Sequence, residues 1–383
     1  MSSGGWILKK KFGGTFDDRA PRYGVYLAGL VVALAAFGIV MLYSASYYTA
    51  EYKYGDAFYY VKKQAIALVV AVFALIAASR VPLKWVRKAQ IPLLVVSYVL
   101  MGLVFIPALG VESYGARRWL NFGLFSMQPS EIGKFAFVLS AAAYIDKKGV
   151  DTFKKLAVPL LAGGAFCVLL LLEPNMSVTM IMLGLTLCML FAGGAKGKHF
   201  AVLAVPILVA VPVLIAVEPY RLQRLLAFVN PWASPKGEGY QLIQSYYALG
   251  SGGLFGVGFL HSRQKYMFLP FAESDFIFSV IGEEWGLVGA VVVMLAFFAV
   301  VYLGLRIAAS TDRRFDALLA YGITAVVALQ TLLNVAVVTG CVPPTGVPLP
   351  FVSFGGSSLV CFFAAMGILL NIDRVNRRGP FIQ

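Results

Sequence analysis

Ten apolar stretches, each long enough to cross a lipid bilayer as a helix, constrain this chain more than anything else: 24–44, 58–79, 90–109, 129–145, 156–172, 176–192, 199–217, 275–305, 316–340 and 354–371. One helical crossing needs about 20 predominantly apolar residues, and a water-soluble core has no room for so many. The reading is an all-α polytopic membrane protein of about ten transmembrane helices. A single membrane domain covers 24–372, with a basic tail at 1–23, a short tail at 373–383 and a large loop at 218–274 between the seventh and eighth spans. Composition agrees, because 60% of the residues are hydrophobic and only 13% are charged, outside the range of soluble domains.

The formal charge of +14 would suit a nucleic-acid binder, but its distribution argues against one. With the N-terminus in the cytoplasm, most of the 32 Lys and Arg fall on that side, among them Lys9, Lys10, Lys11, Arg80, Lys84, Arg87, Lys88, Lys147, Lys148, Lys196, Lys198, Arg313, Arg314, Arg374 and Arg377. Cytoplasmic loops of membrane proteins collect positive charge, so both termini are expected inside. The charge then sets topology, and no nucleic-acid partner is implied. Cys167, Cys188, Cys341 and Cys361 lie in or beside apolar runs with no CxxC spacing, and neither a disulfide framework nor a zinc site follows. The first apolar run is too long for a signal peptide's core and should stay as a span.

The inner loops are plain basic connectors, whereas the outer stretches 110–128, 218–274 and 341–353 are polar or rich in Gly and Pro. Pro219 to Phe228 reads as a helix lying in the interface, with Arg221 and Arg224 three apart, which suits either a lipid phosphate or a snorkelling anchor. The glycines from Gly250 to Gly258 do not match GxGxxG and follow no strand, so a dinucleotide site is rejected. Asp275 opens a long apolar helix, followed by Ser279, Gly282, Gly286 and Gly289 at steps of 4, 3, 4 and 3. That spacing places one acid at the head of a small-residue stripe and implies close helix packing beneath it. An acid there is either a functional group or a helix cap.

In the stretch 110–128, Arg117, Arg118 and Trp119 precede Gln128-Pro129-Ser130-Glu131, with Lys134 one turn on. Glu131 and Lys134 can pair on one helix face, yet three cations on the side disfavoured for positive charge suit an anionic ligand such as a pyrophosphate. Pro343 to Ser353 is apolar and too rich in proline for a helix, and such backbone survives only inside protein or beside a cavity. Gly355-Gly356-Ser357-Ser358 starts the last helix and offers amides to an anion, although a plain helix start explains it as well.

Arg118-Trp119-Leu120, Gln128-Pro129-Ser130-Glu131, Asp275-Phe276-Ile277-Phe278 with Gly282-Glu283-Glu284, and Pro348-Leu349-Pro350-Phe351-Val352-Ser353-Phe354-Gly355-Gly356-Ser357-Ser358 resemble the SEDS family (shape, elongation, division and sporulation), whose members include FtsW, RodA and SpoVE. Asn230-Pro231-Trp232 and Gly239-Tyr240-Gln241 are closer to the FtsW and SpoVE branch. The resemblance implies a ten-span glycosyltransferase of the bacterial cytoplasmic membrane, active at division or in shape determination, that polymerises lipid II into peptidoglycan strands on the outer face. It implies a class B penicillin-binding protein and other divisome or elongasome membrane proteins as partners. It makes Asp275 the essential acid, with Arg118, Trp119, Glu131 and Lys134 lining one outer cavity. Two departures stand out: Glu173-Pro174-Asn175 where many members carry an aspartate third, and no histidine in Pro270-Phe271-Ala272-Glu273-Ser274-Asp275.

The expected mechanism is a single inverting displacement with Asp275 as general base. Arg117, Arg118, Arg221 and Arg224 would neutralise charge on the leaving pyrophosphate. A divalent cation, Mg2+ or Mn2+, can share that task, although no ligand cluster marks one. A lipid II flippase and a non-catalytic divisome scaffold are the alternatives, and the crowding of polar residues at one face disfavours a flippase.

Overall fold

The structure, a computed structural model, describes residues 22–113, 116–123, 126–217 and 219–378. Lys9, Lys10 and Lys11 of the expected basic tail, and residues 379–383, lie outside the described residues. Among those described, thirteen α-helices and one small sheet follow in the order α1 (Tyr23–Tyr54), α2 (Tyr59–Ala78), α3 (Leu83–Lys88), α4 (Gln90–Leu103), β1 (Gly110–Ser113), β2 (Ala116–Asn121), β3 (Ser126–Met127), α5 (Pro129–Lys148), α6 (Phe153–Leu172), α7 (Met176–Ala192), α8 (Gly197–Val217), α9 (Pro219–Val229), α10 (Tyr240–Gly252), α11 (Ile277–Ser310), α12 (Arg314–Val338) and α13 (Gly356–Arg378). Ten of the helices coincide with the ten apolar stretches. Helices α1, α2, α6, α11, α12 and α13 are long and apolar enough to cross a membrane, and α4 and α7 are apolar but shorter. This is a multi-pass membrane protein.

Local chemistry sets several helix ends. Pro129 opens α5, Glu131 sits in its first turn and Lys147 and Lys148 in its last, each sign placed to complement the helix dipole. The Asn175 side chain caps α7 by accepting from the Val178 amide at 3.4 Å. Of those six helices α12 and α13 are the most enclosed, α5 is buried along most of its length, and α13 packs on α1, α2, α5 and α12. Helix α2 is the opposite case, with Ile66, Val69 and Phe73 exposed to what would be lipid.

Two features depart from the sequence reading. The stretch 110–128, expected as a loop, folds into a three-stranded antiparallel sheet in the order β1-β2-β3. And α11 is not one helix. At Gly286 the backbone turns to φ 65°, ψ −165°, and the ladder breaks. The freed carbonyls of Glu283 and Glu284 accept from the amides of Val257 (3.0 Å) and Gly258 (3.1 Å), while the amides of Leu287 and Val288 donate to the carbonyls of Gly253 (2.9 Å) and Leu254 (3.1 Å). The glycine-rich segment 253–258 is thus threaded into the break and satisfies its backbone, as a buried interruption requires. Of the small-residue stripe, Ser279 and Gly282 do meet a neighbouring helix. Ser279 Oγ lies 2.9 Å from Ser245 Oγ of α10, and a Cβ at Gly282 would stand 2.5 Å from Leu249.

Candidate functional site

The site forms where the proline-rich segment 341–355 crosses the end of the bundle that carries the sheet. This backbone is not helical, so its polar groups need partners from elsewhere, and three amide side chains within apolar helices supply them. Gln64 of α2 donates to the Ser353 carbonyl (3.1 Å) and accepts from the Gly355 amide (3.1 Å). Gln330 of α12 donates to the Pro348 carbonyl at 2.9 Å. Asn334, one turn further, donates to the Val347 carbonyl (2.7 Å) and to the Asp275 carbonyl (2.8 Å). The segment leading into α11 is tied to the same loop, since Ser353 Oγ donates to Ser274 O (2.6 Å) and the Phe354 amide to Glu273 O (3.0 Å).

These bonds fix the backbone on both sides of Asp275. Its carboxylate lies against Gly346, where a Cβ would come within 2.8 Å of Oδ2. Helix α11 begins after it, with Phe276 as the capping position and no side-chain cap bond, so Asp275 does not serve as a helix cap. It is half-buried at the site wall. Burial, and next the nearby Glu273 carboxylate, push its pKa up to about 7 against the opposing pull of Arg118 and Arg224. Burial also raises the pKa of Glu273.

Strand alternation separates the two arginines of β2. Arg118 shares a face with the buried Leu120 and turns into the protein, where it bonds the Glu173 carbonyl at 3.3 Å and the Pro174 carbonyl. Arg117 points the other way and pairs with Glu112 across the hairpin at 3.3 Å, apart from Asp275; Trp119, opposite Val111, is half-buried. From α9, Arg221 reaches the Leu171 carbonyl (3.5 Å) and Arg224 the Pro344 carbonyl (3.0 Å), with Glu238 3.6 Å from Arg224. Leu226 and Val229 on the same helix are exposed, as on an interfacial helix. Arg118, Arg221 and Arg224 therefore converge on the junction between the α6–α7 turn and the proline-rich segment.

Glu131 and Lys134 are placed differently from the expected cavity lining. Lys134 is fully buried, 2.8 Å from Glu131 and 2.5 Å from Gln330 Oε1, and Ser358 donates to the second Glu131 oxygen at 2.8 Å. Gln330 in turn holds Pro348, so the pair props the proline-rich segment from beneath instead of presenting charge to a ligand. Removing one partner of such a buried pair costs about 3–5 kcal/mol. Ser357 accepts from the Gln128 amide at 3.5 Å, joining α13 to the end of the sheet.

The residues that sequence reasoning passed over are Gln64, Gln330 and Asn334, whose signal was present as polar amides inside apolar spans. Glu173 was read only as part of its motif, with no role given to its carboxyl. The Glu173 carboxyl is buried, neither oxygen has a hydrogen-bond partner among the described residues, and burial lifts its pKa to about 8 although Arg118 is near. Asn175, where an aspartate was expected, caps α7, a task either residue performs. Among the described residues no three His, Cys, Asp or Glu side chains gather as metal ligands. Glu273 stands beside Asp275 as a further carboxylate, and Mg2+ held largely by substrate phosphates needs only one or two.

A family model described as cell cycle protein, named for FtsW, RodA and SpoVE, matches residues 25–378. Stage V sporulation protein E of Bacillus subtilis is 37% identical over 91% of this chain and 96% of its own length. A probable peptidoglycan glycosyltransferase FtsW of Geobacter metallireducens is 39% identical over 94% and 96%. Among solved structures, a chain from a peptidoglycan synthase complex, described as coordinating polymerization and crosslinking, superposes with a TM-score of 0.78 at 28% identity over 92% and 98%.

Proposed function

The chain belongs to the FtsW, RodA and SpoVE family of cell cycle proteins, and we infer from this membership that it is a peptidoglycan glycosyltransferase. The donor is lipid II, and the chemistry is an inverting displacement at its anomeric carbon. Asp275 takes the proton from the 4-hydroxyl of the acceptor GlcNAc as that oxygen attacks, and the bond to the undecaprenyl pyrophosphate breaks. The pyrophosphate leaves with its charge facing Arg118, Arg221 and Arg224, which the sheet and α9 bring to one junction. A divalent cation, Mg2+ or Mn2+, held by Glu273 and the phosphates would add Lewis acidity there.

One observation carries this reading: an acid pinned through its own backbone by Asn334, set against Gly346 and near Arg118 and Arg224, where burial raises its pKa to about 7. A base matched to neutral pH is half ionised at rest and strong enough to accept a proton. The site lies at the end of the bundle opposite the basic loops, and the tendency of positive charge to stay inside supports an outer-face position on the cytoplasmic membrane. A class B penicillin-binding protein at the septum would crosslink the product.

Purified Asp275→Asn given labelled lipid II should lose strand formation by roughly 10²-fold or more, with an unchanged melting temperature. Polymerisation at the normal rate would remove Asp275 from the role of base. Transport of lipid II across liposomes without glycan products would replace the enzyme with a flippase.

A further inference from the structure

At the end of the bundle away from Asp275, a cavity of about 370 Å³ opens between α3, the last turn of α5 and the start of α12. Lys84, Arg87, Arg313 and Arg314 line it with Asp146 and Asp316, over an apolar floor of Leu83 and Phe315. Four cations face two carboxylates, so the cavity is net positive. The size falls within the range of about 300–1,000 Å³ typical of small-ligand sites.

Part of this cluster is rigid. Arg87 bonds Asp146 at 2.6 Å and its guanidinium lies 5.0 Å from the Phe315 ring centroid, which locks α3 against α5 and α12. Arg314 donates to the Gly193 carbonyl at 3.1 Å. Lys84 and Arg313 stand at the exposed rim. The Arg87–Asp146 pair fixes two of the charged residues and Arg313 lies close enough to Asp316 to act on it electrostatically, while Lys84 and Arg313, which also belong to the topology-setting basic loops, bring further positive charge to the mouth of the cavity.

The surroundings identify the environment of that mouth. Trp85, on the same short helix, is 56% exposed with Lys88 Nζ 4.8 Å from its ring centroid, the arrangement of an aromatic residue at a membrane–water boundary. Ile76 on α2 and Ile91 and Val95 on α4, the helices before and after α3 in the chain, expose apolar side chains that belong in lipid. Phosphodiesters of the leaflet lie at the depth where tryptophan and lysine meet, and basic pockets between spans on the cytoplasmic side suit such headgroups.

We propose that this cavity is a binding site for the phosphate of an anionic phospholipid, with a hydroxyl-bearing headgroup such as that of phosphatidylglycerol. Lys84 and Arg313 hold the phosphodiester at the rim, and Asp146 and Asp316 accept from the headgroup hydroxyls. The inference is independent of the glycosyltransferase reading, because none of these residues belongs to the site around Asp275.

Native mass spectrometry of the detergent-purified full chain, titrated with phosphatidylglycerol or phosphatidylcholine, tests it. The wild type should retain phosphatidylglycerol in preference to phosphatidylcholine. Lys84→Gln with Arg313→Gln should weaken retention by about tenfold or more. Lys154→Gln with Lys198→Gln removes as much charge from exposed positions elsewhere at the same end and should leave retention unchanged. Melting temperatures without added lipid check that both variants fold. Equal retention by the Lys84/Arg313 variant, or equal binding of phosphatidylcholine, would overturn the proposal. Occupancy by glycerol 3-phosphate in lipid-free micelles to the same extent would overturn a lipid as its source.

Discussion

As the proposed base, Asp275 can act only while ionised, and its neighbours decide when that is. With the pKa raised to about 7, polymerisation should fall as pH drops through neutrality, because the protonated carboxyl cannot accept the acceptor's proton. The Glu273 carboxylate contributes to the rise, so Glu273→Gln should move this acid limb to lower pH. Arg118 acts in the opposite sense, and Arg118→Gln should move the limb to higher pH while also slowing the reaction at its plateau. Single-turnover rates on lipid II across about pH 5 to 9 measure both shifts. Unchanged midpoints in the two variants would mean that another group titrates in the rate. Lys134 illustrates the contrary case. Its charge is spent on Glu131 and Gln330 in the core, so it stabilises the loop above it and does not face a substrate.

At the scale of elements, α11 is held open by a glycine. Gly286 adopts φ 65°, and a Cβ there would come within 2.4 Å of Gly256 N and 2.5 Å of Leu254 O, both backbone atoms that cannot swing away. Gly286→Ala should therefore destabilise the protein by about 1–3 kcal/mol, from backbone strain with the clash added, and displace the segment 253–258. A melt in detergent would show the loss, and an unchanged midpoint would mean that the helix can run through the break. Just before the break, Glu283 accepts from Ser262 and from the Arg263 amide (2.8 Å), and Glu284 pairs with the buried Lys265 at 2.9 Å. The small-residue spacing from Asp275 to Gly289 pointed to one packed stripe. A repeat of small residues at steps of 3 and 4 is equally compatible with a helix and with a helix interrupted at one of its glycines, and the difference lies in the segment 253–258 that pairs with the break.

For the molecule as a whole, orientation follows from where the basic residues gather, and it predicts accessibility. Cys341 is the exposed cysteine of the proline-rich segment. In intact cells lacking an outer barrier it should react with a membrane-impermeant maleimide, whereas a cysteine replacing Lys198, in a Cys341→Ser background, should react only after permeabilisation. The reverse pattern would invert the topology and move the Asp275 site to the cytoplasm. The two ends of the bundle differ in chemistry as well as charge. One gathers Asp275, three arginines and an irregular backbone; the other holds the Lys84–Arg313 cavity.

Ten apolar stretches, the basic loops and the motif residues were legible in the chain itself, because the cost of lipid-exposed backbone and of charge in hydrocarbon acts on every segment locally. The same local rules marked Asp275 and the proline-rich loop as exceptions needing an explanation. What they could not supply was pairing. Whether Arg117 or Arg118 faces the site depends on the pleat of a strand whose partner is set by the hairpin. Whether Lys134 meets a ligand or Glu131 depends on α12 arriving with Gln330. The raised pKa of Asp275 depends on burial by segments brought together from α11, α12 and the loop before α13. Each of these is a distance between residues remote in the chain, and only the packed bundle sets such distances.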